Sequence, residues 1–513
     1  MIYISKVKKK LIINLTFFLY KKMSKEHINV CVVGHVDAGK STTTGHLLFK
    51  LGGVDQRELD KLRKTAEDLG KKSFEFAYVM DTQKDERERG ITIKSTAKEF
   101  FTEKYHYTIV DCPGHKDYLG NMISGSSTTE AALLMLPAAG FETAIAKGDE
   151  NGKLEGQTRQ HARLLNFTGI KQVIVCINKM DDPTINFSEA RFNEIRDEAL
   201  HMLVQAGYGV GKSEKERLES VKKTIPIIPI SGLKGLNLID NKCAEMSWYN
   251  GFSVERIDGT ITTGHTVYDA LNNYILLPKR DDKKPLRMPV SQIIPLPIGT
   301  VVTGRIEQGV LKPGDNVTFC PSMITGKAFS IEAHGRALES AHSGDNIGIN
   351  IKGMEKGRLP KRGDIMFLTA DKPAEVYEYT AQVVVQDHPG ELKVGYCPNI
   401  MVRTAHAACR MTEIKWRLGK ETNKVQVKEG ELLNMIKQGD AAEVVFRPQK
   451  PLYLETYASC EGLGRIALMD SNKLVALGKV ISVTYYTPEI KQRIELEAKA
   501  ASDAKRLNSK KKK

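Results

Sequence analysis

His27 to Ser41 reads HINVCVVGHVDAGKS: an apolar run, a glycine-bearing loop, then an apolar-periodic stretch that begins near Lys40. The run predicts a buried strand and the stretch after Lys40 predicts a helix. Strand, glycine loop and helix in that order open an α/β domain. At the junction, Gly34, His35, Val36, Asp37, Ala38, Gly39, Lys40 and Ser41 match GxxxxGK[ST], and Thr42 continues the stretch. Glycines let backbone N–H groups close round the α- and β-phosphates of a nucleotide at a helix N-terminus. Lys40 can reach the β- and γ-phosphates, and the Ser41 hydroxyl can ligate Mg²⁺.

Working outward, strand-like runs recur at Tyr107 to Val110, Ala131 to Leu136, Val173 to Ile177 and Ile225 to Ile230, with helix-compatible stretches such as Phe187 to Gln205 between them. That alternation implies a mostly parallel sheet with helices on both faces. After the charged, proline-bounded stretch Pro278 to Pro285 (PKRDDKKP), helices nearly vanish. Short β-rich runs with glycines fill Leu286 to Thr369, among them Thr300 to Arg305, Asn316 to Phe319 and Asn346 to Ile351, and a second set runs from Tyr377 to Tyr486. The expected architecture is an α/β P-loop domain over 24–277, a linker over 278–285, and two antiparallel β-barrels over 286–372 and 373–487. A Lys- and Ala-rich tail covers 488–513.

The 513 residues suit two to four domains, and 41% hydrophobic with 27% charged residues is ordinary globular composition. No stretch approaches the roughly 20 apolar residues that span a bilayer, so no membrane association is expected. The net charge of +14 is concentrated at the ends: residues 1–25 hold seven lysines and no acid, and Lys510 to Lys513 add four, which leaves +3 for the body. A nucleic-acid site must therefore be argued from local clusters. The eight cysteines show no CxxC pair and no zinc spacing, and read as reduced thiols of a reducing, cytoplasmic compartment. Residues 1–23, with the apolar run Leu11 to Tyr20 between lysine clusters, read as an upstream extension with Met23 as the functional start; a targeting leader is the alternative.

Three further motifs follow strands. Asp111, Cys112, Pro113 and Gly114 (DCPG) place a carboxylate at a strand's C-terminal end, facing the phosphates, where Asp111 would hold Mg²⁺ through water. Gly114 supplies a backbone N–H where the γ-phosphate would lie. Asn178, Lys179, Met180 and Asp181 (NKMD) end the strand VIVCI; an acidic side chain there accepts both N–H groups of the guanine edge, which selects GTP over ATP. Ser231, Gly232 and Leu233 supply a weaker base-contacting loop. Arg87 to Ile93 (RERGITI) offers Thr92 as a second Mg²⁺ hydroxyl on a loop that γ-phosphate would order.

With these residues in view, GHVDAGKST, RERGITI, DCPGH, NKMD and SGL resemble elongation factor 1-alpha, and the likeness runs from Met23 to Val483. It is strongest to the divergent branch called elongation factor-like protein, through Thr143 to Lys147 (TAIAK), Gly156 to Arg163 (GQTRQHAR) and Gly462 to Arg465, and Gly395 to Lys420 carries it into the last domain. The resemblance implies GTP-dependent delivery of aminoacyl-tRNA to the ribosomal A site by a cytoplasmic monomer, with GTP, GDP and Mg²⁺ as ligands and an exchange factor as a possible further partner. It implies that His115 positions the attacking water and that Val36 and Ile91 form an apolar gate over it. It places the aminoacylated end of the tRNA near Glu332, His334 and Asn346. The basic stretch Arg403, His406, Arg410, Lys415, Arg417 and Lys420 would meet tRNA phosphates, the alternative being charges that alternate outward along solvated strands. Three departures stand out: Lys94 where the family has an acid, Leu233 where it has tryptophan, and Thr128-Thr129-Glu130 in place of a QAD-like triplet. Termination or rescue GTPases share the nucleotide motifs, and a non-enzymatic cytoskeleton- or RNA-binding scaffold is the other reading.

Overall fold

Parallel strands buried on both faces need continuous apolar runs, and the chain supplies them. The structure is a computed structural model that describes residues 25–493, except 90, 93, 116–117, 127, 147–155, 241–242, 279, 297–298, 334–335, 356, 387, 389, 471–472 and 491. The chain divides after Lys279 into two compact units.

The first unit holds a six-stranded sheet in the order β2-β3-β1-β4-β5-β6, from β1 (His27–Gly34), β2 (Thr96–Phe101), β3 (His106–Asp111), β4 (Ala131–Pro137), β5 (Gln172–Asn178) and β6 (Ile227–Pro229). β2 runs antiparallel on the edge and the other five are mutually parallel. β4 and β5 are buried along their whole length. The helices are α1 (Lys40–Lys50), α2 (Gln56–Asp68), α3 (Ala77–Met80), α4 (Lys84–Arg89), α5 (Leu119–Ser126), α6 (Phe141–Ile145), α7 (Gln157–Thr168), α8 (Glu189–Gln205) and α9 (Glu214–Thr224). A hairpin of β7 (Phe252–Glu255) and β8 (Ile261–Gly264) follows. α8 starts at Glu189 because the Ser188 hydroxyl accepts the Arg191 N–H at 3.3 Å, which makes Ser188 the cap. β6 is shorter than the apolar run around it, since Ile225 closes α9 and Pro226 follows.

The second unit holds two six-stranded antiparallel barrels. The first runs β11-β15-β9-β10-β14-β12, closed by β11 with β12, with a short β13 flanking β12. Its strands are β9 (Met288–Leu296), β10 (Gly299–Arg305), β11 (Asn316–Cys320), β12 (Ile324–Ala333), β13 (Arg336–Ala337), β14 (Asn346–Lys352) and β15 (Ile365–Leu368). β10 and β14 alternate strictly, with Val302, Ile347, Ile349 and Ile351 turned into the core. The second barrel closes as β16-β21-β19-β18-β22-β23, with β17 and β20 paired beside it. Its strands are β16 (Val376–Val385), β17 (Leu392–Lys393), β18 (Asn399–Val402), β19 (Ala405–Leu418), β20 (Met435–Ile436), β21 (Ala441–Pro448), β22 (Arg465–Asp470) and β23 (Lys473–Tyr485).

The barrels share packing. Cys320, Ile365 and Phe367 of the first belong to the second barrel's apolar cluster, and Thr404 donates to the Val290 carbonyl at 2.9 Å. No helix among the described residues is long and apolar enough to cross a membrane. All eight cysteines are free thiols, seven of them buried.

Candidate functional site

The parallel register brings four loops to one edge. Val32 pairs with Asp111, Gly34 with Met135, Pro137 with Asn178 and Ile177 with Pro229, so β1, β3, β5 and β6 release their polar residues at the same carboxyl ends. The result is a cavity of about 510 Å³. Its phosphate-side wall is Val36, Asp37 and Gly39 to Thr42, with Asp81, Ile91, Thr92, Gly114 and His115 beside it; Asn178, Lys179, Asp181 and Leu233 close the far end.

The loop Gly34–Gly39 is held by local contacts. The Ala38 N–H bonds the His35 carbonyl at 3.2 Å, and Gly39 adopts φ 81°, a left-handed turn in which a Cβ would also strike Asn178 Nδ2. α1 begins there without a side-chain cap, so its first N–H groups point into the cavity with no acceptor of their own. Together with the helix dipole they favour an anion. The Lys40 ammonium donates to the His35 carbonyl at 2.8 Å. Burial lowers its pKa, and Asp111 and Asp37 oppose that shift. Gly114 lies so near that a Cβ on it would fall 2.3 Å from Lys40 Nζ.

Asp111 is fully buried, and both carboxylate oxygens are without a hydrogen bond of good geometry. Burial pushes its pKa up to about 6; the Ser41 hydroxyl, close by but poorly aligned, pulls it the other way, as does Lys40. Ser41 Oγ and Thr92 Oγ1 lie 3.1 Å apart, and Thr92 donates to Asp81 Oδ1 at 3.0 Å. Burial, and then the nearby Asp111, push the Asp81 carboxyl up to about 7. Two hydroxyls beside an orphaned buried carboxylate form a hard-oxygen donor set that fits Mg²⁺.

At the far end Asn178 is a hub. Its Nδ2 donates to the Ala38 carbonyl at 2.8 Å and to Thr43 Oγ1 at 3.3 Å, while its Oδ1 accepts the Gly232 N–H at 2.8 Å. One side chain thus ties the phosphate loop, α1 and the 231–233 loop together. Lys179 adopts φ 63°, Met180 is buried, and Asp181 lines the cavity. Ser231 and Gly232 are buried while Leu233 is 46% exposed. His35, Ala38, Cys112 and Pro113 do not line the cavity; His35 is half-buried behind the loop and the other three are buried supports. His115, Val36 and Ile91, far apart in sequence, all line it.

Sequence reading missed Asp81, the acid that ends the apolar run of α3. It also missed the support from α7. Gln157 Oε1 accepts the Val36 N–H at 3.4 Å, and His161, fully buried behind Gly34, is held by burial down to a pKa of about 3. Both lie in the GQTRQHAR phrase that carried the family likeness, but nothing in its residue types marked either as a support of the phosphate loop.

The residues proposed for RNA fare unequally. Glu332 pairs with Gly348 across β12 and β14, and Asn346 stands two residues along β14 on the same outward face. His334 lies outside the described residues. On β19, His406, Arg410 and Lys415 are exposed, as is Lys420 beyond it. Arg417 is a correction: it is 0% exposed, its guanidinium donating to Asp440 at 2.7 Å and Glu421 at 2.8 Å, so it cannot meet a phosphate. Arg403 is half-buried and donates to Glu307 of the first barrel at 2.8 Å, which also removes it from that surface.

The chain matches the Elongation factor Tu GTP binding domain family over residues 25–276, Elongation factor Tu domain 2 over 299–367 and the GTP-eEF1A C-terminal domain-like family over 378–481. It is 42% identical to the elongation factor 1-alpha of Onchocerca volvulus over 463 residues, 90% of this chain and 94% of that one. Identity to the elongation factor 1-alpha of Coccidioides immitis (strain RS) is also 42%, over 466 residues, covering 90% and 95%. In fold it is similar to the Saccharomyces cerevisiae Ski7 GTPase-like domain bound to GDP and inorganic phosphate, with a TM-score of 0.70 at 17% identity over 91% of this chain and 99% of that one.

Proposed function

Since the chain belongs to the elongation factor 1-alpha family of translational GTPases, we propose that it binds GTP with Mg²⁺, carries aminoacyl-tRNA to the ribosomal A site and hydrolyses GTP there. The observation that carries this reading is the convergence of His115, Val36 and Ile91 on the cavity that Lys40, Ser41 and Thr92 also line. The N–H groups of α1 and Lys40 bind the phosphates. Asp181 reads the guanine edge, and Leu233 covers the base. Ser41, Thr92 and, through water, Asp111 hold Mg²⁺, which when bound supplies charge neutralisation at the β- and γ-phosphates. His115 orients the water that attacks the γ-phosphate, giving GDP and inorganic phosphate, and the Gly114 N–H senses that phosphate. Val36 and Ile91 screen His115 until the ribosome docks.

The RNA-binding part rests on the barrels. The outward face that carries Glu332 and Asn346 also exposes Ile294, Leu296 and Phe329. The Lys352 ammonium sits 3.2 Å above the Phe329 ring, and Lys327 lies directly across from Lys352. Apolar surface beside paired cations suits an aminoacylated RNA end, with side chain and base on the apolar part and phosphates on the lysines. His406, Arg410, Lys415 and Lys420 offer a second basic edge to the tRNA body. The reading carries with it a cytoplasmic setting and a monomer, with a guanine-nucleotide exchange factor as a possible further partner.

The experiment follows spontaneous deacylation of charged tRNA, with uncharged tRNA as competitor, in the presence of protein with GTP or GDP. Protection of the ester only in the GTP form is the expected result. Equal binding of charged and uncharged tRNA would replace delivery with a termination- or rescue-type role or an RNA-binding scaffold, and no RNA binding would leave the cytoskeletal-scaffold reading.

A further inference from the structure

One face of α1 is turned away from the phosphates and meets the 231–235 loop at three successive places. Thr43 packs against Gly232 so closely that a Cβ on that glycine would fall 2.1 Å from Thr43 Oγ1. His46, three residues on and only 7% exposed, donates its Nδ1–H to the Gly232 carbonyl at 2.8 Å, an arrangement that fixes its tautomer. Lys50, a further turn on, donates to the Gly235 carbonyl at 2.9 Å. The spacing of three and four places all three side chains in one stripe. The Gly232 residue is thereby clamped on both sides, its N–H on Asn178 and its carbonyl on His46.

The imidazole is itself fixed. Its ring lies parallel to Phe76, with centroids 4.0 Å apart and planes 4° apart, and Gly45 beside it lets α1 approach Phe76, whose carbonyl would lie 1.9 Å from a Cβ at that position. Phe76 directly precedes α3, which ends at Asp81, the acceptor of the Thr92 hydroxyl. A held ring with one directed N–H makes a strut of defined length between the helix that starts at the phosphate loop and the loop that would cover the base. Burial lowers the pKa of His46, which keeps the ring neutral.

We propose that His46 is a positioning residue for guanine-nucleotide retention: through its Nδ1–H bond to Gly232 it fixes the base-covering loop and so sets how slowly nucleotide leaves, without acting on the phosphate chemistry. The inference rests on the nucleotide-binding reading given above. Lys50 extends the same support from the half-exposed end of the stripe.

The test measures release of fluorescently labelled GDP and GTP from the full-length protein, alongside single-turnover hydrolysis of bound GTP, in His46→Ala, His46→Asn and Lys50→Ala. The asparagine amide Nδ2–H can occupy the place of Nδ1–H, so this variant keeps the bond while losing the ring. Loss of one buried hydrogen bond is expected to speed release about tenfold in His46→Ala, the equivalent of about 1.4 kcal/mol. His46→Asn should recover to within about threefold of the native rate, and Lys50→Ala, which leaves the core intact, should accelerate release about threefold. Hydrolysis of GTP already bound should change by less than about twofold in all three, because Lys40 and His115 are untouched. Release at the native rate in both His46→Ala and Lys50→Ala would overturn the proposal. So would hydrolysis that slows in step with release, or an asparagine variant no better than alanine. Native protein that retains neither GDP nor GTP would overturn the nucleotide reading itself, a result distinguishable from all of these.

Discussion

His115 and His161 are the same residue type put to different ends by their surroundings. His115 lines the cavity, half-buried, where its ring can hold a water. On the role proposed for it, which is exercised only in the transition state, His115→Ala is expected to cut ribosome-stimulated hydrolysis on the order of a hundredfold or more while GDP affinity stays within about twofold. Rates with saturating ribosomes and equilibrium GDP titration check this. His161 lies behind Gly34, 1% exposed, and burial lowers its pKa from 6.5 to about 3. A depressed histidine binds fewer protons folded than unfolded, so its contribution to stability is lost as pH falls through 6.5 towards 3. From pH 7 to pH 5 that loss is about 2 kcal/mol. His161→Gln, polar but not titratable, should remove this part of the loss. Urea midpoints of both proteins at pH 7 and pH 5 decide it through the difference between them, because the raised Asp81 and Asp111 carboxyls gain stability over the same range and can level the native profile by themselves: a native-minus-variant difference that stays constant from pH 7 to pH 5 would show that His161 does not govern acid stability.

At the level of elements, legibility followed burial. β1, β4 and β5 are covered on both faces, so their apolar runs are continuous and each announced itself, β1 and β5 together with the motif at their carboxyl ends. β2 is an edge strand whose first four residues are not buried, and the β7–β8 hairpin offers only two four-residue strands; neither carried a signal above its surroundings. The 231–233 loop was faint for a different reason, since it is positioned by His46, Thr43 and Asn178 rather than by residues of its own. β19 shows where period-two reasoning breaks. His406 and Arg410 face outward in phase, and register shifts between Met411 and Glu413 and between Ile414 and Trp416 change the phase twice, so Lys415, which strict alternation would turn inward, is exposed, while Arg417, back in the original phase, lies inside. Removing it would strand Asp440, 3% exposed, without its guanidinium. Arg417→Ala should therefore destabilise the barrel by about 3–5 kcal/mol, whereas His406→Ala and Arg410→Ala should stay within about 0.5 kcal/mol. Denaturant melts of the three variants separate the cases, and comparable losses in all three would mean that the outward pair is structural as well.

Across the whole molecule, the region after Lys279 reads from sequence as two barrels and packs as one body. Phe367 belongs to a strand of the first barrel, yet it lies in the apolar cluster of the second, with Tyr453 edge-on at 4.8 Å and the Arg287 guanidinium over its ring at 4.5 Å. Arg287 continues the join, bonding Asp371 at 3.0 Å and the buried Glu455, and Gly363 packs against the Ala405 backbone closely enough that a Cβ would fall 2.8 Å from its Cα. None of these contacts has a sequence signature, because each depends on residues some 40 to 170 positions apart that only the folded barrels bring together. A shared apolar core makes unfolding cooperative, so damage on one side should be felt on both. Phe367→Ala removes a fully buried aromatic ring and is expected to cost about 3–5 kcal/mol. Hydrogen exchange distinguishes the two possibilities. If the barrels unfold as one unit, the amides of β10 in the first barrel and β21 in the second lose protection by the same free energy in the variant. If β10 alone loses protection, the barrels are independent folding units that merely touch, and a substitution in one would leave the surface proposed for RNA on the other intact.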